Sequence, residues 1–380
     1  MKSIFFLILG FFGILNAAFG QKTVNHVQLV GNIKGVGNSK LFICKIEGFF
    51  MNAQVIDSFT CKNDSFNYRT NFKTNDNLYC IKDAYGQLLY FFPDTEKITI
   101  NGSSDNLIFS SIVGSENNAI LTDYWKIQSL ISNQNMPLYS SLKKAQEEHD
   151  TIKISKIRKQ QDSLFSIVRS QPEKFITIDH DKNASAAILY LNLTQFRLEK
   201  INVRSLYEKL DKQVQDSPVG KRINDFITSL DACRVGKPFI DFELADQENK
   251  SVMISSLKGK YFLIEFWASW CGPCIGELPT LSKAYEKYNI KGFEIISISL
   301  DNSKQQWMNA LQRHKTQWLQ TINKNSERFM SNFAPFGSDV AKAYSILYVP
   351  ANYLIDPNGL IIATDLRGED LTNKLSEIYK

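Results

Sequence analysis

Two cysteines three positions apart, Cys271 and Cys274, have the spacing in this sequence that most directly predicts chemistry. They stand in the run Trp-Cys-Gly-Pro-Cys, which follows an apolar segment and opens one with helical spacing of apolar residues. On a first helical turn such a pair can close a disulfide, and the unpaired N–H groups and positive dipole end of the helix favour a thiolate. These surroundings lower a thiol pKa from about 8.5 to roughly 3.5 to 7.5. We therefore expect Cys271 to attack and Cys274 to resolve the mixed disulfide.

Two acidic residues flank the pair, Glu265 six residues before Cys271 and Glu277 six residues after it. A carboxylate within an apolar strand is costly unless it is paired or protonated, so we expect Glu265 to have a raised pKa and a role in proton transfer. An ion pair with a lysine is the alternative for Glu265. For Glu277 the alternative is an ordinary position on a helix surface.

The elements that position these residues form an alternation of strands and helices over 235–380. Tyr261–Ala268 is a nearly continuous apolar run, as expected for a strand buried on both faces. Phe293–Leu300 and Ala351–Ile355 are further candidate strands, and Asn358-Gly359 is a hairpin signal. The pattern predicts an α/β domain with a central sheet.

Two other segments precede this domain. Over 25–111, short alternating runs separated by turn formers predict an antiparallel β domain, a small sandwich or barrel. Over 116–231, apolar residues at helical spacing predict a helical segment. Pro172 and Pro218 are interpreted as breaks between its helices.

The first residues, 1–20, have the pattern of a secretory signal peptide, with Lys2 before an apolar run and small residues at Ala18 and Gly20. The run is shorter than the roughly 20 residues of a membrane-spanning helix. We expect cleavage after Gly20 and no stable membrane insertion afterwards; an uncleaved anchor is the alternative. Export places cysteines where disulfides persist.

The composition excludes several classes of protein. With 43% hydrophobic and 22% charged residues among 380, the chain is neither disordered, collagen-like nor a polytopic membrane protein. The net charge of +5 is too small and too scattered to indicate a nucleic-acid partner.

The segment around the cysteines resembles thioredoxin, and Cys-Gly-Pro-Cys-Ile-Gly-Glu-Leu-Pro with an export signal is similar to the periplasmic TlpA/ResA branch. Supporting matches over 235–380 are Gly236-Lys237-Pro238-Phe239, Leu257-Lys258-Gly259-Lys260, Tyr344-Ser345-Ile346-Leu347-Tyr348-Val349-Pro350 and Leu354-Ile355-Asp356-Pro357-Asn358-Gly359. The two segments ahead of them resemble the extra domain often fused to such thioredoxin modules in Bacteroidetes proteins. The expected fold is therefore α/β, a C-terminal thioredoxin-like fold preceded by an N-terminal antiparallel β domain and a helical middle segment.

The resemblance implies a periplasmic thiol-disulfide oxidoreductase of the protein-disulfide reductase type. Its partners would be protein thiols and disulfides and an upstream electron donor, with no cofactor and no metal. The implied catalytic residues are Cys271, Cys274, Glu265, Glu277 and Pro350, with Cys271-Cys274 as the redox disulfide. Glu265 would take the proton of the second thiol, Glu277 would lie near the pair, and Pro350 would be a cis-proline packed against the disulfide. The implied substrate-binding residues are Trp270, Gly272, Pro273 and Val349.

Three other functions are considered. A thiol peroxidase shares the fold, but its usual Thr-x-x-Cys motif is missing. A zinc module at Cys271 and Cys274 would need two more ligands, which are not visible at workable spacing. The redox domain could also serve mainly in partner binding, with the β domain as a docking module.

The remaining cysteines are Cys44, Cys61, Cys80 and Cys233, and none of them has Cys-x-x-Cys spacing. Buried apolar thiols and structural disulfides both remain open for them, because sequence does not choose a pairing.

Overall fold

The computed structural model describes residues 26–47, 52–70, 77–195, 203–322 and 338–380. The predicted signal peptide, 1–20, lies outside the described residues, so its cleavage stays a prediction. Within the described residues no helix combines the length and apolar character needed to cross a membrane.

The N-terminal part is a sandwich of two four-stranded sheets, in the orders β4-β1-β7-β8 and β3-β2-β5-β6. The inner faces of both sheets share one cluster of buried apolar side chains, which holds them together. The strands are β1 (Val27–Lys34), β2 (Lys40–Glu47), β3 (Asn52–Thr60), β4 (Ser65–Thr70), β5 (Tyr79–Lys82), β6 (Leu88–Phe91), β7 (Lys97–Ser103) and β8 (Ser111–Val113). A 3₁₀ helix, Ser104–Phe109, joins the last two.

One strand pair of the sandwich departs from the antiparallel pattern, because β1 and β7 run parallel. Gly31 lies opposite Ile100 in this pair, and a Cβ at Gly31 would stand 1.8 Å from the Ile100 carbonyl oxygen. Only glycine permits so close an approach of the two backbones.

The middle part is helical. Its helices are α1 (Glu116–Glu147), α2 (Thr151–Ile178), α3 (Asn183–Gln195), α4 (Val203–Glu208), α5 (Lys212–Gln215) and α6 (Pro218–Ala232). Pro218 begins α6, and Ser217 caps it by accepting the Gly220 N–H at 3.1 Å. The interpretation of Pro172 as a break is wrong, because Pro172 lies buried inside α2. An internal proline costs a helix about 3 kcal/mol, and the packing of α2 on its neighbours offsets that cost.

The C-terminal part is built on a seven-stranded sheet in the order β10-β9-β13-β12-β11-β14-β15. Its elements are β9 (Glu243–Asp246), β10 (Ser251–Met253), β11 (Tyr261–Trp267), α7 (Gly272–Tyr288), β12 (Phe293–Ser299), α8 (Lys304–His314), β13 (Leu319–Ile322), α9 (Asp339–Ala343), β14 (Ala351–Ile355), β15 (Ile361–Thr364) and α10 (Gly368–Ile378), with 3₁₀ helices at Ile254–Leu257 and Asn289–Lys291. The central strand β11 pairs parallel with β12 and antiparallel with β14. Alternate residues of β11 face opposite sides of the sheet: Leu263 packs with α7 and α10, whereas Phe262 and Ile264 belong to the core on the other face.

This architecture confirms the expected fold class, a thioredoxin-like fold after a β domain and a helical middle. The core is continuous, since one buried cluster runs from the outer face of the second sandwich sheet through the helices to the thioredoxin-like sheet. Polar contacts add to the junction: the Cys233 thiol donates to the Ala343 carbonyl at 3.1 Å, and Ser345 and Ser229 share a hydroxyl hydrogen bond of 2.6 Å.

Candidate active site

Cys271 lies at the start of α7, just beyond the end of β11. It is the N-cap residue of the helix, and a disulfide joins it to Cys274, with 5.3 Å between the two Cα atoms. Cys274 is fully buried, whereas Cys271 retains 5% of its surface. The sulfur of Cys271 is thus the outer of the two.

The helix N-terminus acts directly on the sulfur of Cys271, which accepts the backbone N–H of Cys274 at 3.1 Å. The first turn of α7 contains no acidic residue. In the reduced protein, a thiolate at Cys271 would be stabilised by this N–H donor and by the positive end of a 17-residue helix. This supports attack by Cys271.

A buried carboxylate, Asp301, holds the chain that leads into Cys271. Its two oxygens accept the backbone N–H of Ser269 at 2.9 Å and the Ser269 hydroxyl at 2.7 Å. The Ser299 hydroxyl also donates to Asp301, at 2.7 Å. Because Ser269 is two residues before Cys271, these bonds hold the backbone segment that leads to Cys271 in place.

The predicted substrate-binding residues around the cysteines form an open surface. Gly272 and Pro273 are exposed, and Trp270 is 45% exposed. A Cβ at Gly272 would meet nothing within 4 Å. The side of the disulfide that carries Gly272 and Pro273 is therefore accessible to another chain, and substrate binding there stays a prediction.

Pro350 follows Val349 in the loop before β14, and the peptide bond between them is cis, as the resemblance implies. Both residues are buried, and Val349 belongs to the same apolar cluster as Cys271 and Cys274. The Arg367 guanidinium donates a hydrogen bond to the Pro350 carbonyl oxygen. The loop is thereby tied to the N-terminus of α10.

Glu265 is buried in the middle of the sheet, only 2% exposed. Ser297 on β12 donates to its Oε2 at 2.5 Å, and Trp318 donates in turn to the Ser297 hydroxyl at 2.7 Å. Within the described residues Oε1 has no hydrogen-bond partner, and Glu265 forms no ion pair with a lysine. Among the described residues, the structure thus does not show the ion pair that was the alternative for Glu265.

Burial raises the pKa of Glu265 to about 7. The Ser297 hydrogen bond and the charge of Arg367 act in the opposite direction, and the charge of Glu277 raises the pKa further. A carboxyl group with a pKa near neutrality can both accept and return a proton at physiological pH.

The register of strand and helix favours a position of Glu265 beneath Cys274, which stays a prediction. Leu263 and Leu278 belong to one buried apolar cluster, on the face of the sheet that α7 covers. Glu265 lies two residues after Leu263, which places it roughly 6 to 7 Å further toward the end of β11. Cys274 is one helical turn from Leu278 toward the start of α7, roughly 5 to 6 Å. Since α7 runs back along the strand, we expect the two side chains at about the same level.

Glu277 is half-buried on the next turn of α7, and its Oε2 accepts the backbone N–H of Gly368 at 3.2 Å. It is therefore more than a surface residue, because it attaches α7 to the start of α10. Its charge reaches Glu265, which couples the two acids. A direct role at the sulfurs stays a prediction.

Sequence reasoning missed Arg367, Asp301 and Ser297. Asp301 had a usable signal, because it directly follows a buried strand at the edge of the sheet where the cysteines lie. Arg367 and Ser297 had none, since only strand pairing brings them to Pro350 and Glu265.

Among the described residues no group of three or more His, Cys, Asp or Glu side chains is arranged to hold a metal ion. The other four cysteines are buried thiols.

Family models match both ends of the chain. Residues 235–364 match the AhpC/TSA family, and residues 27–121 match a domain of unknown function, DUF4369.

Curated relatives match about 40% of this chain. The thiol-disulfide oxidoreductase ResA of Geobacillus thermodenitrificans is 30% identical over 161 residues, which cover 40% of this chain and 83% of that protein. ResA of Bacillus thuringiensis is 28% identical over 155 residues, covering 41% and 82%.

Solved structures match a similar share of the chain. The thioredoxin domain of a thiol-disulfide oxidoreductase from Bacteroides vulgatus is 31% identical, with a TM-score of 0.35, and the match covers 39% of this chain and 99% of that one. A thiol-disulfide oxidoreductase from Bacteroides fragilis is 32% identical, with a TM-score of 0.33 and coverage of 37% and 99%. Because this chain covers 83% of a ResA that is 30% identical to it, and the AhpC/TSA model spans both cysteines, the chain belongs to the TlpA/ResA-like thiol-disulfide oxidoreductases.

Proposed function

We propose that this protein reduces disulfide bonds of exported proteins, with Cys271 as the attacking sulfur. The observation that carries the proposal is the position of that sulfur, at the N-cap of α7 with the Cys274 N–H directed at it. The redox disulfide with Cys274 is the oxidised product of such a reaction.

In the first step, the Cys271 thiolate attacks one sulfur of a substrate disulfide. A bond forms between the two sulfurs, the substrate S–S bond breaks, and the second substrate sulfur leaves as a thiolate and takes a proton from water. The product is a mixed disulfide between Cys271 and the substrate.

In the second step, the Cys274 thiol gives its proton to the Glu265 carboxylate and attacks the sulfur of Cys271. The bond between Cys271 and the substrate breaks, and the substrate departs as a thiolate. Two electrons have passed from the enzyme dithiol to the substrate, and the Cys271–Cys274 disulfide remains. An external dithiol donor reduces it for the next cycle.

The open surface at Gly272 and Pro273 and the loop of Val349 and Pro350 would hold the substrate chain, and Trp270 would cover the sulfur. Export to the periplasm rests on the signal-peptide pattern of residues 1–20. In an oxidising compartment a reductase needs a continuing supply of electrons, so an upstream dithiol protein is part of the proposal.

The test is reduction of insulin disulfides by the purified full chain with dithiothreitol as donor. Cys271→Ser should abolish the reaction, because a hydroxyl cannot begin the exchange. Cys61→Ala is the matched control, since Cys61 is a buried thiol inside the β sandwich, and it should retain the wild-type rate. Full activity in the Cys271 variant would contradict the proposal. Faster turnover with hydrogen peroxide than with insulin would favour a peroxidase instead.

A further inference from the structure

Two of the buried cysteines outside the active site, Cys44 and Cys80, face each other across neighbouring strands. Cys44 lies on β2 and Cys80 on β5, and the antiparallel register pairs them directly. Both side chains are completely buried, and both are thiols in this structure.

The hydrogen-bonding phase of the two strands sets the spacing of the pair. Two residues along, the Ile46 N–H donates to the Leu78 carbonyl at 3.1 Å, which makes that pair a hydrogen-bonded one. Because the phase repeats every second residue, Cys44 and Cys80 also form a hydrogen-bonded pair, for which the Cα atoms are about 5.5 Å apart. This lies within the roughly 4.4 to 6.8 Å between Cα atoms that a disulfide spans, whereas the Cβ atoms of such a pair, about 4.5 to 5.5 Å apart, must move closer for the bond to form.

The two thiols already contact each other. A hydrogen bond from Cys80 lowers the pKa of Cys44, and the nearby charge of Lys82 adds to this effect. The same hydrogen bond, together with burial, raises the pKa of Cys80 well above its usual value. The hydrogen bond from Cys80 therefore favours the thiolate of Cys44, which makes Cys44 the better nucleophile of the pair.

The other two free cysteines have no such neighbour. Cys61 lies in the cluster between the two sheets of the sandwich, whereas Cys44 and Cys80 face the helices. Cys233 lies at the end of α6 and donates its thiol hydrogen to the Ala343 carbonyl. Of the four free thiols, only Cys44 and Cys80 are therefore brought face to face by strand register.

We propose that Cys44 and Cys80 form a second, cross-strand disulfide in the oxidised protein, separate from the Cys271–Cys274 pair. The oxidant is a small disulfide, for which glutathione disulfide is the probe. The Cys44 thiolate attacks one of its sulfurs and releases one glutathione thiolate, which leaves a mixed disulfide. The Cys80 sulfur then attacks the sulfur of Cys44 and releases the second glutathione, with both cysteine protons passing to solvent. Two cysteine thiols are oxidised and one glutathione disulfide is reduced.

The place of the pair in the fold determines when this reaction takes place. Tyr124 and Trp125 of α1 belong to the same buried cluster as Cys44 and Cys80, so the helical segment covers the sulfurs in the folded chain. A protein disulfide cannot reach them there. The bond therefore forms before the helices pack on the sheet, or with a small disulfide during local opening.

The experiment uses the full chain with Cys271→Ser and Cys274→Ser, so that four of its six cysteines remain. This variant is refolded from denaturant in mixtures of reduced and oxidised glutathione, alkylated, and mapped by mass spectrometry without reduction. The free thiols should fall from four to two, and one linked peptide pair should contain Cys44 and Cys80. Dithiothreitol should release it. In the same background Cys61→Ala should keep the link, and Cys44→Ala should remove it.

Two results would overturn the proposal: Cys44 and Cys80 remaining free at every glutathione ratio, or a linked pair that includes Cys61 or Cys233. If the chain does not refold, the folded protein is incubated with glutathione disulfide in urea below its unfolding midpoint, and the same peptides decide. The result is independent of the proposed reductase activity, because the active-site cysteines are absent.

Discussion

The Glu265→Gln variant tests the proton transfer in the second step of the proposed reaction. Glutamine keeps the shape of the side chain and can still accept the Ser297 hydrogen bond, but it cannot take a proton from Cys274. The attack by Cys271 should change little. The release of the substrate should slow, because Cys274 must then lose its proton without a nearby base.

The size and pH dependence of the effect follow from the pKa of Glu265, which burial raises to about 7. With that pKa the carboxyl is about one tenth ionised at pH 6 and about nine tenths ionised at pH 8. Only the ionised form accepts the proton, so the wild-type rate of the second step should rise about tenfold between these pH values. In the variant the levelling-off above pH 7 should disappear, because Cys274 then loses its proton only to water or hydroxide, and the rate at pH 8 should be on the order of 100-fold lower.

The rates of the two steps can be measured separately with an aromatic disulfide that releases a coloured thiolate. The reduced protein, mixed rapidly with this reagent, releases one equivalent when Cys271 attacks and a second when Cys274 resolves the mixed disulfide. Cys274→Ser should give the first equivalent only, which calibrates the assay.

Glu294→Gln is the matched control for this substitution. Glu294 lies at the opposite end of the sheet, on β12, where it accepts from Lys260 at 3.1 Å, so its loss should leave both steps and their pH profiles unchanged. A wild-type rate of the second step in the Glu265 variant, with the same midpoint near pH 7, would refute the proton transfer. Glu265 would then be a structural residue.

Three further predictions concern the supporting residues. Arg367→Met removes the donor to the Pro350 carbonyl and a charge that lowers the pKa of Glu265, so insulin reduction should slow and the midpoint of the second step should move above pH 7, as read from the two-equivalent assay. Asp301→Ala leaves the two Ser269 donors without their acceptor, so the free energy of unfolding should fall by about 1 to 3 kcal/mol, measured by urea unfolding of the oxidised protein. Glu265 keeps its proton to a higher pH in the folded chain than in the unfolded one, so wild-type stability should decline as pH rises from 4.5 to about 7, and Glu265→Gln should remove most of that decline in the same unfolding measurement.

Local sequence patterns predicted the elements that carry the cysteines. The apolar run before Trp270 is β11, and Ala351–Ile355 forms β14 as predicted. The strand predicted over Phe293–Leu300 ends one residue earlier, at Ser299. These elements could be recognised from short stretches of sequence. A strand buried on both faces is a continuous apolar run, and the helix after Cys-x-x-Cys has apolar residues at helical spacing.

Features that depend on pairing between distant segments could not be read in this way. The parallel pairing of β1 with β7 depends on backbone contact at Gly31, which the alternating pattern does not record. Pro172 stays inside α2 because tertiary packing outweighs a local preference. Arg367 lies in a loop whose position only the folded sheet sets. The roles of the residues around the cysteines, and the limits of the domains, stay predictions.

The most direct test of the account is a trapping measurement on Cys271 and Cys274. Reduced Cys274→Ala protein and reduced Cys271→Ala protein are each mixed with a disulfide-bonded peptide at neutral pH, quenched with acid, and mapped by mass spectrometry. The account predicts rapid, stable attachment of the peptide to Cys271 in the first variant. It predicts little attachment to Cys274 in the second, because Cys274 is fully buried and Cys271 is the residue at the N-cap of α7. Equal or faster attachment to Cys274 would contradict the central claim that Cys271 begins the exchange.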